Sequence, residues 1–152
     1  MSDKVYLAIY GSLLSGCGRE RAIKNVYSRR KCKIPGMLLT SLRLDWPVFV
    51  PHEASSLNTE AVVGEVLQID RENLLGSIDK MEGYPNVCTR SIMKVTLDDG
   101  STVDAYVYYP SDEAMKTLYS NPIYNLKPVI YNDWRFHLSL LKAAVRGGLF
   151  GD

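Results

Sequence analysis

Ten residues near the start of the chain, Val5 to Leu14 (VYLAIYGSLL), restrict its fold more than any other stretch. Val5, Leu7 and Ile9 alternate with Tyr6, Ala8 and Tyr10, so nearly every position is apolar or aromatic. A short run of this kind, rich in β-branched and aromatic residues, reads as a central strand rather than a helix. Gly11 ends it, and Ser12, Leu13 and Leu14 lead into the polar stretch Ser15-Gly16-Cys17-Gly18. Glycine admits a positive φ and lets a ligand come close. Successive backbone N–H groups in such a turn form a small anion-binding nest. Gly11 therefore either only ends a strand or opens a nest of that kind.

The 152 residues are expected to form one domain over 1–152, long enough to bury a core. A formal net charge of +1 argues against a general electrostatic grip on nucleic acid, which needs a basic face. The cysteines, Cys17, Cys32 and Cys88, are odd in number and form no CxxC, so a reducing compartment fits better than a disulfide framework. The first residues lack the apolar core of a secretory signal, and no stretch approaches the ~20 apolar residues of a membrane span. These features read as a soluble cytoplasmic protein with no membrane partner. His52 and His137 are far apart and bear no ligand-like spacing to the cysteines, so no metal site is expected.

Further along, Gly18 to Tyr27 reads as a short helix with Ala22, Ile23, Val26 and Tyr27 on one face. The basic run Arg29, Arg30, Lys31 and Lys33 is either a solvated surface or a rim for an anionic ligand. Lys33 to Leu44 reads as a strand bent at Pro35-Gly36, and Leu42 to Pro51, with two prolines, as an irregular segment or edge strand. His52 to Thr59 is a polar loop. Glu60 to Ile69 is a clear strand whose Gly64 marks a bulge or a close backbone approach.

Asp70 is placed to cap a helix over Arg71 to Met81, with Leu74, Leu75, Ile78 and Met81 as its buried stripe and Gly83 as its stop. Val87 to Leu97 and Thr102 to Tyr109 form a hairpin through Asp98-Asp99-Gly100-Ser101. Ser111 to Tyr119 reads as a short helix and Asn121 to Tyr131 as a loop. A final helix spans Asn132 to Arg146, capped by Asn132 or Asp133 and stopped by Gly147-Gly148, with Trp134, Leu138, Leu141 and Val145 on one face. The aromatics Tyr119, Tyr124, Tyr131, Trp134 and Phe150 either cover the sheet or form a subunit interface. Hairpins and loops join most strands. The fold class is α+β, a mixed and largely antiparallel barrel-like sheet with a few flanking helices.

Among the acidic residues, Glu82 resists a structural explanation. It lies in the last turn of the Arg71–Met81 helix, where the macrodipole disfavours a carboxylate. That field, together with any burial, raises its pKa, and a carboxylate so tuned accepts and returns protons near neutrality. Otherwise Glu82 is a solvated residue at a helix end. Cys17 lacks a neighbouring histidine and reads as incidental, and Ser12 stands in no GxSxG elbow.

Taken together, Tyr10-Gly11-Ser12-Leu13, Val62-Val63-Gly64-Glu65-Val66, Ile78 to Tyr84 and the strand pair from Arg90 onward resemble, in that order, the γ-glutamylcyclotransferase-like or AIG2-like family. The resemblance covers roughly Val5 to Tyr109. It implies that Tyr10, Gly11, Ser12 and Leu13 hold the glutamyl end of a substrate, with Trp46 and Arg90 as further substrate-binding residues. It also implies that Glu82 is the general acid/base of an intramolecular acyl transfer releasing 5-oxoproline, and that neither metal nor cofactor is required. The small-molecule substrate would carry a γ-glutamyl group. This chain departs from many relatives at Cys88, where they carry tyrosine, and at Trp46-Pro47, where Tyr-Pro is frequent. The competing expectation is a non-catalytic binder of an anionic metabolite or nucleotide in the same pocket, with Arg19, Arg29 or Arg30 near phosphate.

Overall fold

A computed structural model describes residues 3–44, 46–51 and 61–146. The loop read over 52–59, Glu60, the Gly147-Gly148 stop and Phe150 lie outside them, as does the side chain of Val145. Strand β1 (Lys4–Ile9) is the central strand expected from its alternation, and it stops just before Tyr10 and Gly11. It pairs antiparallel with β4 (Ala61–Asp70) on one side and parallel with β6 (Thr102–Pro110) on the other. β6 continues antiparallel to β5 (Cys88–Leu97), and β2 (Ser28–Thr40) pairs antiparallel with both β4 and β5. The order β2-β4-β1-β6-β5 thus closes on itself as a five-stranded barrel. Closure leaves those five strands with no long unpaired edge.

The barrel is filled by Leu7, Ile34, Val62, Leu67, Ile69, Val95 and Val107, each at most 1% exposed. Burying a side chain of this size contributes roughly 1.5–3 kcal/mol.

β2 begins five residues earlier than the sequence suggests and runs straight through Pro35-Gly36. That pair is where the strand changes partner: up to Pro35 it pairs with β4, and from Gly36 with the edge strand β3 (Val48–Pro51). Gly36 has φ +153, and a Cβ there would lie 2.5 Å from the Phe49 ring. The expected 121–131 loop contributes a two-residue strand β7 (Lys127–Pro128), also on β2.

The helix expected over 18–27 does not form. Only the 3-10 turn Glu20–Ala22 is helical, Gly16, Gly18 and Asn25 have φ of +79, +106 and +58, and Ile23 alone of the proposed stripe is fully buried. The next helix, α1, spans 71–82, with a π turn over Leu74–Ile78 inside it. That wider turn carries one extra residue per bond and rotates the residues after it about the helix axis. Leu74 and Ile78 point inward as expected, but Leu75 is half exposed and Asp79 is buried instead. Asp70 stands at the cap position with extended backbone, yet its carboxylate takes the Tyr27 hydroxyl at 3.0 Å rather than a helix N–H. Gly83 closes α1 at φ +71: its N–H bonds the Lys80 carbonyl and the Tyr84 N–H bonds that of Asp79.

Helix α2 (Asp112–Ser120) is capped by the Ser111 side chain, and α3 (Trp134–Arg146) by Asp133, whose carboxylate accepts the Phe136 N–H at 3.1 Å. Of the tail aromatics, Trp134 is buried and Tyr124 packs on a second cluster around Leu39, Val48 and Leu118. Tyr119 and Tyr131 are exposed, so these side chains cover the sheet only in part.

Candidate active site

The first strand delivers its loop to one side of a cavity of about 490 Å³. Tyr10, Gly11, Ser12 and Leu13 line it together with Trp46 and Pro47 and with Met81, Glu82 and Cys88, and Arg19, Val87, Tyr108 and Pro110 are among the remaining lining residues. The sequence-predicted residues therefore converge, with Arg90 as the exception: it lies outside the lining.

The loop turns because the Leu14 N–H bonds back to the Gly11 carbonyl at 3.0 Å, and the Arg19 N–H returns to the Ser12 carbonyl at 2.9 Å. The N–H groups of Ser12 and Leu13 are not used by these two bonds. A Cβ on Gly11 would sit 3.0 Å from Pro47 Cδ, so glycine is what lets the loop meet Pro47. The Tyr10 hydroxyl donates to the Tyr108 carbonyl at 2.7 Å, and its ring packs on Phe49 at 5.0 Å. Burial holds the Tyr10 phenol well above its ordinary pKa, with the charges of Cys88 and Glu82 adding to the effect. Tyr10 is a neutral wall with its proton already committed.

Glu82 reaches the cavity because α1 buries its inner face and ends beside it. Burial raises the Glu82 pKa, and Arg19, at the rim, partly offsets this. Cys88 is pushed up to about 11, by burial first and by Glu82 second, so it stays a thiol near neutrality. A small neutral side chain thus stands beside the carboxylate.

Arg90 lies behind this layer. Its Nε and Nη2 donate to Asp79 at 2.8 and 2.9 Å, and its guanidinium stacks over Tyr84 at 4.2 Å. The Tyr108 hydroxyl donates to the same carboxylate. Hydrogen bonding from Arg90 holds Asp79 below the usual carboxylate range, against its burial. Asp79 is one helical turn before Glu82, so this bidentate clamp ties the C-terminal end of α1 to β5 and β6. The clamp escaped the sequence reading, although Asp79 at i−3 from Glu82 shares its helix face.

The basic run does not rim the cavity. Lys31 and Lys33 are exposed on β2, Arg30 pairs with Asp98 and Asp99, and Arg29 is drawn in to Glu65 at 3.0 Å. Of the three arginines considered for an anion, only Arg19 lines the cavity. Cys17 is half-buried, its pKa raised by burial, and lies outside the lining. His137 is a core residue, accepting the Ile130 N–H and stacked on Trp134. Among the described residues, no helix is long and apolar enough to cross a membrane.

A sequence profile for the family described as gamma-glutamyl cyclotransferase, AIG2-like, matches residues 7–136. The Methanocaldococcus jannaschii protein named "Putative gamma-glutamylcyclotransferase MJ1514" is 29% identical over 105 residues, covering 68% of this chain and 82% of that protein. Among solved structures, an AIG2-like protein from Mus musculus aligns with TM-score 0.59 at 18% identity, covering 74% of this chain and 82% of the other. An Arabidopsis thaliana protein aligns with TM-score 0.54 at 23% identity, covering 73% and 71%. At these identities the structural likeness speaks for the fold.

Proposed function

Because this chain belongs to the gamma-glutamyl cyclotransferase, AIG2-like family, we propose that it is an enzyme that cyclises a γ-glutamyl group, with Glu82 as its general acid/base. The observation that carries this reading is that Glu82 and the Ser12-Leu13 backbone line one cavity. The substrate's anionic glutamyl end rests on the N–H groups of that loop, which suits a nest of backbone donors. Trp46, Pro47 and Tyr10 wall the remaining space. Arg90 acts from behind as a positioning residue, through Asp79.

The reaction moves two protons from the α-nitrogen to the departing nitrogen. The Glu82 carboxylate takes a proton from the substrate's α-ammonium. The freed amine attacks the γ-carbonyl carbon, forming the ring C–N bond. Glu82 then returns that proton to the departing nitrogen as the original amide C–N bond breaks, and the second proton, left on the ring nitrogen by the attack, passes through Glu82 to the released amine, giving 5-oxoproline and an amine or amino acid that leaves as its ammonium ion. Nucleophile and electrophile are parts of one molecule, so the enzyme has mainly to fold the substrate and shuttle the protons. The raised pKa of Glu82 suits both halves of that task.

The test is 5-oxoproline release from a panel of γ-glutamyl amines and dipeptides by the wild type and by Glu82→Gln. Release by the wild type and a fall of roughly 10²–10⁴-fold in the variant is expected. Equal release by both removes Glu82 from the mechanism. No release from any panel member, with an anionic metabolite raising the melting temperature, would favour a binder.

A further inference from the structure

One carboxylate in the barrel sits where a strand of this kind usually carries an apolar residue. Glu65 of β4 has a side chain only 9% exposed. Its Oε1 accepts the Ser15 N–H at 2.7 Å and Arg29 Nη1 at 3.0 Å, and its Oε2 accepts the Ser15 hydroxyl at 3.0 Å. Arg135, from α3, brings its Nη2 to 3.6 Å of Oε2. The Arg29 nitrogen that meets Glu65 also lies 3.4 Å from the Leu13 carbonyl. Burial opposes ionisation of Glu65, but the two Ser15 donors and Arg29 outweigh it and hold the group below the usual range.

A buried ion pair is weak as a source of stability, because apolar packing of equal volume often does as well. What this cluster does specifically is geometric. Leu13 and Ser15 flank Leu14, the residue whose N–H closes the turn onto Gly11. Glu65 therefore grips the loop at Ser15 directly and at Leu13 through Arg29. Both grips come from the barrel, and neither Glu65 nor Arg29 lines the cavity.

We infer that Glu65 is a positioning residue: through Ser15 and Arg29 it fixes the loop from Gly11 to Ser15, so that the Ser12-Leu13 backbone meets its ligand with donors already aimed. The inference rests on the proposed function for the ligand's identity alone. Donors held in advance need no reorganisation when charge arrives, and such donors depend on supporting hydrogen bonds behind them.

The full chain carrying Glu65→Gln, and separately Arg29→Met, is compared with the wild type by amide hydrogen exchange and steady-state kinetics. Exchange at Leu14 and Ser15, whose N–H groups bond the Gly11 carbonyl and Glu65, should quicken about tenfold in both variants, with β1 and β4 unchanged, the size expected from losing one charge-assisted hydrogen bond. KM for a γ-glutamyl substrate should rise by a similar factor while kcat and its pH profile stay put, because Glu82 is untouched. Unchanged exchange at Leu14 and Ser15, or quickened exchange with KM unmoved, overturns the inference. So does loss of protection across the whole barrel in both variants, which would make Glu65 a folding residue. If the wild type releases no 5-oxoproline, the proposed reaction falls. The exchange data, and the affinity of any ligand found by thermal shift, then decide the role of Glu65 by the same criteria.

Discussion

Replacing Gly64 by alanine probes how closely the barrel wall is packed behind the site. Gly64 lies in β4 opposite Cys32 of β2. A Cβ built there falls 2.4 Å from the Ile9 carbonyl oxygen and 2.8 Å from Ile34 Cδ1. Ordinary contact begins near 3.4 Å, so the backbone of β1 must retreat by about 1 Å. The Ile34 methyl can swing aside, but a strand carbonyl cannot. Overpacking of this kind costs roughly 1–3 kcal/mol. Alanine returns about 0.5–1 kcal/mol by restricting the unfolded chain. Taking the upper half of the cost, because a backbone atom has to move, the net loss is about 1–2.5 kcal/mol. For a chain of this length that is a melting-temperature drop of roughly 3–8 °C. Ile9 is two residues before Gly11, so the same retreat displaces the loop, and KM should rise together with the loss of stability. Urea denaturation and thermal melting of the Gly64→Ala protein measure the first effect, and substrate kinetics the second. A stability within about 0.5 kcal/mol of the wild type, or a clear loss with KM unchanged, would refute the packing argument.

Glu82 gives a pH signature in stability as well as in rate. Its folded pKa is raised above 4.5, so it favours folding fully below that value and less as pH rises through the folded pKa. Glu82→Gln, always neutral, should therefore be more stable than the wild type near pH 8 and equal to it near pH 4. A gain of the same size at both pH values, in urea denaturation, would contradict the assignment. Arg90→Met should cost roughly 2–4 kcal/mol, because it strands the Asp79 carboxylate in a buried site. Since Asp79 is held below its ordinary pKa, the stability that the pair provides in the wild type is present above the unfolded pKa and is lost as pH falls through the folded one. A difference between wild type and variant that persists undiminished into acid would count against the clamp.

The elements that sequence alone located are those whose pattern is local. The alternation of β1, the Asp-Gly turn between β5 and β6 and the glycine stop at Gly83 each depend on neighbours a few residues away. The stripe through Ala22, Ile23, Val26 and Tyr27 failed because tertiary pairing claims its end. The Tyr27 N–H bonds the Gln68 carbonyl at 2.8 Å and β2 starts at Ser28, which leaves no length for a helix. Leu75 was misplaced by a π turn, which leaves no mark in a 3.6-residue pattern.

At the cavity, Glu82 was visible as a carboxylate at the wrong end of a dipole, and in the barrel wall Gly64 was visible as a glycine where a strand wants bulk. Arg90 was visible as a motif residue, but its attachment to Asp79 was not, since that bond spans the turn between α1 and β5. Glu65 was hidden inside an apolar run whose periodicity it does not disturb. Its partners, Ser15, Arg29 and Arg135, come from three separate segments, and only the closed barrel brings them together.

The place of β1 in the sheet has a consequence for how the molecule comes into being. It is the first of the described strands, yet its parallel neighbour is β6, with Leu7 set against Tyr106. Pairings this distant in sequence form slowly, because the intervening chain must be organised first. As the polypeptide is synthesised, the loop at Gly11 therefore emerges before β6 and waits for it. A pocket drawn from β1, α1 and β6 exists only once the last of these has docked. Any molecule that occupies it recognises the completed fold and no precursor. By mass action such a ligand favours that fold by about 2.7 kcal/mol at a hundred times its Kd, and in a cell its abundance would set how much of the newly made chain survives.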